Sequence, residues 1–198
     1  MPTHKLTNTN KLFNFDDIAN GRGLVDYWLF ITRDTAAALQ YNIDTTALRP
    51  GSGSGEANFV ATAFNSAQTF TFFSGAFTLP RVIDGNTLFT FNVNATGGAG
   101  DDITFVIKFY HYDGTTSTQI GTTWTSPSWS ITEGGNEERT FTGSVVLPRT
   151  KYRIGDQIKM EFIMTPGGGD TIANCAVGVD PTDSDDYFKL HIPFRLGD

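Results

Sequence analysis

From residue 87 onward, apolar side chains recur at every second position. Phe89, Phe91 and Val93 alternate with Thr90, Asn92 and Asn94. Ile103, Phe105, Ile107 and Phe109 alternate with Thr104, Val106 and Lys108. The same period governs Ile158, Met160, Phe162 and Met164, and again Phe188, Leu190, Ile192 and Phe194. Successive side chains of a strand point to opposite faces, so each run predicts a strand with one buried and one wetted face. That is the pattern of antiparallel sheets, which keep one face open to water.

The upstream segment Leu24-Val25-Asp26-Tyr27-Trp28-Leu29-Phe30-Ile31 predicts another strand. Arg33 to Tyr41, with three consecutive alanines, suits a short helical turn, and Arg49 to Gly55 reads as a flexible loop. Asp84-Gly85-Asn86 and Asp113-Gly114 carry the chemistry of tight turns, because glycine accepts positive φ without strain. Gly97 to Gly100, Glu133 to Asn136 and Gly167 to Gly169 read as loops. About nine to eleven short strands at regular spacing predict a sandwich or barrel, and no long segment shows the helical period.

The expected architecture is an all-β, antiparallel sandwich of jelly-roll type, formed by residues 24–198. Residues 1–23 form an extended N-terminal arm, polar apart from the anchors Leu12, Phe13, Phe15 and Ile18. A faint repeat supports two Greek keys. Leu79-Pro80-Arg81, Gly97-Gly98 and Asp101 recur as Leu147-Pro148-Arg149, Gly167-Gly168 and Asp170, offset by 68 to 70 residues. Repeated turn chemistry alone is the competing explanation.

Composition narrows the function. The 198 residues include 17 Phe, 6 Tyr and 3 Trp, enough for one aromatic core. The net charge of −7, with Lys and Arg scattered singly, argues against binding nucleic acid or an anionic membrane surface. No apolar run is long enough to span a bilayer as a helix. The N-terminal residues lack the apolar stretch of a secretory signal, which predicts a chain made in a cytosol or trimmed of its leader. The single cysteine, Cys175, lies in an apolar stretch and reads as a buried thiol.

No catalytic motif is recognisable, and the expectation is a non-enzyme. His4, His111 and His191 lack metal-binding spacing and read as surface or edge residues. Asp180, Asp183, Asp185 and Asp186 offer oxygen ligands of the kind that hold Ca²⁺. Their spacing is not that of an EF-hand, and a solvated acidic loop is the simpler reading; no other cofactor is expected. Trp124 and Trp129, in a polar stretch, and Tyr112 are candidates for an interface or for stacking sugar rings. Packing in the core or at an edge is the alternative for these aromatics.

The aromatic opening strand Val25 to Leu29, the Phe-rich Phe70-Thr71-Phe72-Phe73 and the Leu79 to Val93 pattern come in this order, followed by an Asp-Gly hairpin. This layout resembles small β-sandwich structural proteins of tailed viruses, such as capsid decoration, head-fibre or neck components. The resemblance is one of layout over residues 24–195 and carries over no functional residue. It implies a virion protein made in the host cytoplasm, partnered by other virion proteins and by copies of itself, a trimer among the options. Acidic balance favours an outer position. A carbohydrate-binding module of lectin-like type is the alternative.

Overall fold

The computed structural model describes residues 11–12, 22–33, 39–45, 55–56, 58–132, 136–179 and 187–195. Its strands are β1 (Lys11–Leu12), β2 (Arg22–Arg33), β3 (Leu39–Asp44), β4 (Gly55–Glu56), β5 (Asn58–Phe64), β6 (Gln68–Ser74) and β7 (Arg81–Thr96). They continue as β8 (Asp102–Tyr112), β9 (Ser117–Thr125), β10 (Trp129–Ser130), β11 (Asn136–Tyr152), β12 (Gln157–Pro166), β13 (Ile172–Gly178) and β14 (Phe188–Arg195).

The pairing is nested. β2 pairs with β14, β6 with β12, β7 with β11 and β8 with β9, all antiparallel. Rolling that nest up sets β14 beside β7 and β12 beside β8. The result is two four-stranded layers, β2-β14-β7-β11 and β6-β12-β8-β9, in the arrangement that defines a jelly roll. β13 and β5 extend the first layer past the point where β14 leaves the edge of β7. β3 runs antiparallel to β2 and makes a short parallel contact with β6, Asn42 opposite Phe73, so it stitches the layers together.

The alternating residues form the core. Phe91 of β7 stacks on Phe188 at 4.9 Å and on Phe141 at 5.4 Å, and meets Phe162 of the facing layer edge-on at 5.1 Å. Phe59, Phe70 and Phe72 form a second aromatic group with Tyr41. Aromatic pairs favour such stacked and edge-on geometries, which add about 0.5–1.5 kcal/mol each beyond the area they bury.

Two local expectations are corrected. Asp84-Gly85-Asn86 is not a turn: it lies inside the continuous strand β7. There Gly85 takes a φ of 136° and lies opposite Leu147, where a bulge carrying Pro148 shifts the register of β11. A strand interior that must kink uses glycine and a bulge just as a turn does, and proline is tolerated there because it need not donate to the ladder. The helical turn expected over residues 33–41 also fails where it is described, because Leu39 to Tyr41 belong to β3, paired with β2.

The repeat resolves into a recurring turn. In Gly98-Ala99-Gly100-Asp101, Arg153-Ile154-Gly155-Asp156 and Gly167-Gly168-Gly169-Asp170, the aspartate N–H donates to the first residue's carbonyl at 3.0, 3.2 and 3.1 Å. The third residue is in each case a glycine with φ of 91°, 93° or 95°. The carboxylates of Asp101 and Asp156 accept from the backbone N–H of the first residue of their own turn, while that of Asp170 accepts from Asp102 N–H. These aspartates staple turns.

Candidate functional site

Ionisable pairs lie on the outer faces of both layers and at one end of the core. Alternation along β2 and β14 turns Asp26, Lys189 and His191 outward, and the ladder sets His191 directly opposite Asp26. Asp26 is nevertheless buried, its side chain only 5 % exposed. His191 Nδ1–H donates to Asp26 Oδ1 at 2.6 Å, and Lys189 Nζ lies 2.9 Å from Asp26 Oδ2. Lys189 also sits 5.1 Å from the centre of the Trp28 ring, a cation–π contact, and Trp28 meets Tyr187 edge-on. One carboxylate shielded from water thus has an ammonium and an imidazole as partners, the condition under which a buried charge is tolerated.

His111 makes a second pair. Its Nε2–H donates to Asp156 Oδ2 at 2.6 Å, and its ring lies 4.6 Å from that of Tyr152. Burial alone would raise the Asp156 pKa, but the bonds from Arg153 N–H and His111 outweigh it and hold the carboxyl below its usual range. On the outer face of the other layer, Tyr110 donates to Glu161 Oε2 at 2.7 Å, and Lys159 Nζ lies 2.9 Å from Glu161 Oε1. Burial and the bond to Glu161 push the Tyr110 phenol up to about 12. Burial opposes ionisation of Glu161, yet Tyr110 and Lys159 lower its pKa on balance. Beside this group Phe73 and Tyr112 meet edge-on at 5.2 Å, and the Tyr112 hydroxyl donates to Gly114 O.

The residues singled out in the sequence are dispersed. Trp129 is buried and packs near Phe141, while Trp124 is half-buried and edge-on to Phe89 at 4.9 Å. Both indoles pack with the core, and Tyr112 remains on the surface, half-exposed and apart from them. Cys175 is buried, and burial pushes its thiol up to about 12. Asp180, Asp183, Asp185 and Asp186 lie outside the described residues, as do Phe13, Phe15 and Ile18. Of the arm anchors, Leu12 belongs to β1. His111 and His191, read from sequence as ordinary surface or edge residues, are half-buried and each meets a carboxylate. Among the described residues no three His, Cys, Asp or Glu side chains are grouped to hold a metal ion. No helix among those residues is long and apolar enough to cross a membrane.

The sheet edge is the remaining feature. β1 lies antiparallel against β2, Lys11 opposite Val25 and Leu12 opposite Leu24. It occupies the edge that β14 leaves open, so a piece of the N-terminal segment acts as an added strand.

The fold places the chain among all-β proteins of jelly-roll type. No family model matches the sequence, and no curated protein matches it. Among solved structures, an α-amino acid ester hydrolase aligns with a TM-score of 0.55 and 9 % identity, over 85 % of this chain and 36 % of that one. A CocE/NonD family hydrolase from Staphylococcus aureus aligns at 0.49 and 12 % identity over the same shares. The structure of infectious bursal disease virus, Gx strain, aligns at 0.29 and 14 % identity, over 100 % of this chain and 58 % of that one. The chain thus spans about a third of the hydrolases' length. The first likeness shows a shared sandwich fold and nothing about activity.

Proposed function

We propose that this chain is a non-enzymatic structural protein of a virus particle, a capsid decoration protein or another outer minor component of a tailed bacteriophage. It assembles through its sheet edges and N-terminal arm. The pairing of β1 with β2 carries this reading. Among the described residues preceding β2, Lys11 and Leu12 enter that ladder, and each backbone hydrogen bond contributes about 1 kcal/mol net. Exchanging so short a strand for the same strand of a neighbouring copy costs little, and open sheet edges are the usual acceptors of added strands. The jelly roll supplies a rigid body for such assembly, and the outward threonines and asparagines of β7 and β11 supply an uncharged, hydrogen-bonding exterior.

The test is light scattering after size-exclusion chromatography, on the full chain and on a version lacking residues 1–21, which leaves β2 whole. An oligomer that becomes a monomer without the arm is the expected result. Equal masses for the two proteins sink the arm's role.

A carbohydrate-binding module is the second reading, favoured by the half-exposed rings of Tyr110 and Tyr112 beside Lys159 and Glu161. A sugar's apolar face stacks on such rings while carboxylate and ammonium groups bond its hydroxyls. A glycan array decides it: binding lost in Tyr112→Ala supports this reading, and a blank array removes it.

A further inference from the structure

The strands carry two differently charged ends. β7 and β11 run the length of the sandwich, and the 16 residues of β7 span roughly 50 Å at about 3.3 Å per residue. At the end where β7 begins, Arg81, Arg149, Lys151 and Arg153 are all exposed. Among the described acids at this end, Asp84 pairs with Arg195 and Asp156 with His111, while Asp113, bound to the Thr115 and Thr116 amides, keeps its charge, so the end carries a modest excess of cations. The same end presents Leu79, 58 % exposed, and Ile154, 67 % exposed. Their loops are tied together, since Phe77 N–H donates to Asp156 O and Gly155 N–H donates to Phe77 O, both at 2.9 Å. Two large aliphatic side chains are thus held in water at the same end as these cations.

The opposite end reverses the sign. Asp101, Asp102, Glu137, Glu138 and Asp170 meet there against Arg139 alone, among the residues whose side chains are described. Hydrogen bonds fix the loops that carry them: Gly167 N–H to Asp102 O, Gly100 N–H to Ile131 O, and Thr132 N–H to Glu137. Screening in physiological salt acts over about 8 Å. Charges roughly 50 Å apart therefore cannot neutralise each other within one chain. They can do so between chains.

We propose that the Leu79 and Ile154 end is a docking surface for a second copy of this chain, which enters with its carboxylate-rich end. Copies then associate head to tail. Such a contact is heterologous and propagates into a ring or a row rather than closing as a two-fold dimer. The cations steer the encounter, and covering Leu79 and Ile154 supplies the apolar share of the contact. The proposal rests on the assembly reading above, but not on the arm.

The test uses the full chain at rising concentration, with mass read by light scattering at about 20 mM and about 500 mM NaCl. Association in low salt that is lost in high salt is expected. Reversing one end, Arg81→Glu with Arg153→Glu, or the other, Glu138→Lys with Asp102→Lys, abolishes the salt-sensitive association and leaves any arm-dependent one in place. Mixing the two reversed proteins restores association, which also shows that both are folded. Leu79→Ser with Ile154→Ser weakens association about tenfold. A full chain that stays monomeric in low salt overturns the proposal, and so does a mixture of reversed proteins that fails to associate. Oligomers indifferent to salt and to both reversals, yet lost on deleting residues 1–21, overturn the end-to-end contact while leaving the arm reading intact. Capture of the full chain by anionic vesicles, without self-association, assigns the basic end to a lipid surface instead.

Discussion

Asp26 and His191 face each other across the β2–β14 ladder with 2.6 Å between Oδ1 and Nδ1, and Lys189 closes on the second carboxylate oxygen. The burial is unequal, because the carboxylate is 5 % exposed and Lys189 and His191 are each 23 % exposed. Asp26 is therefore the member that needs its partners. Replacing both of them, Lys189→Met with His191→Gln, leaves a shielded charge uncompensated. After allowing for the exposure of the two partners, a loss of about 2 kcal/mol is expected. Adding Asp26→Leu to that pair recovers most of it, because an apolar side chain needs no partner there. Urea unfolding of the three proteins measures this. Equal midpoints for the double and triple variants would show that Asp26 does not depend on Lys189 and His191.

Cys175 offers a direct test of the core. It is fully buried on β13 between β7 and β5, and burial raises its pKa to about 12. Only the thiolate is nucleophilic, so at pH about 8 the folded protein presents almost none of the reactive form. A thiol-specific chromogenic reagent should label no cysteine in native buffer and one per chain in denaturant. The native rate should follow global unfolding. Fast labelling of the folded protein would place Cys175 at a surface.

The strands were readable because burial selects every second residue, and that selection is local. Phe89, Phe91 and Val93, or Ile158, Met160 and Phe162, announce a face without reference to their neighbours. Nested pairing is a property of the whole chain, hinted at only by the repeated Gly-Asp turns. Local chemistry misled where one residue type serves two geometries, as Gly85 does within β7. Leu39 to Tyr41 became strand because β2 offered hydrogen-bond partners, a tertiary effect that overrides local preference. The polar neighbours of Trp129 left core packing and an exposed role both open, and pairing with β8 turns the indole inward. The His191–Asp26 pair joins residues 165 positions apart, which no local pattern in one sequence reveals.

Acid should unfold this protein through particular carboxylates. Asp156 and Glu161 both have folded-state pKa values lowered from their ordinary 3.8 and 4.5. A depressed folded pKa means that the unfolded chain binds the proton more readily. The stabilisation is therefore fully present above the ordinary values and is lost as the pH falls through the folded ones. The contribution of these two carboxylates should hold steady above pH about 5 and decline below about 4. In Asp156→Asn the bond from His111 is retained but its carboxylate partner is uncharged, and the Arg153 N–H still finds an oxygen. That variant should be less stable at pH about 7 by about 1 kcal/mol and should approach the unmodified protein near pH about 2. Glu161→Gln should behave alike, with a smaller change because its side chain is 19 % exposed against 8 % for Asp156. Urea midpoints across this range measure both. A deficit in Asp156→Asn that persists undiminished at the acid end would show that the carboxylate acts through shape and not through charge.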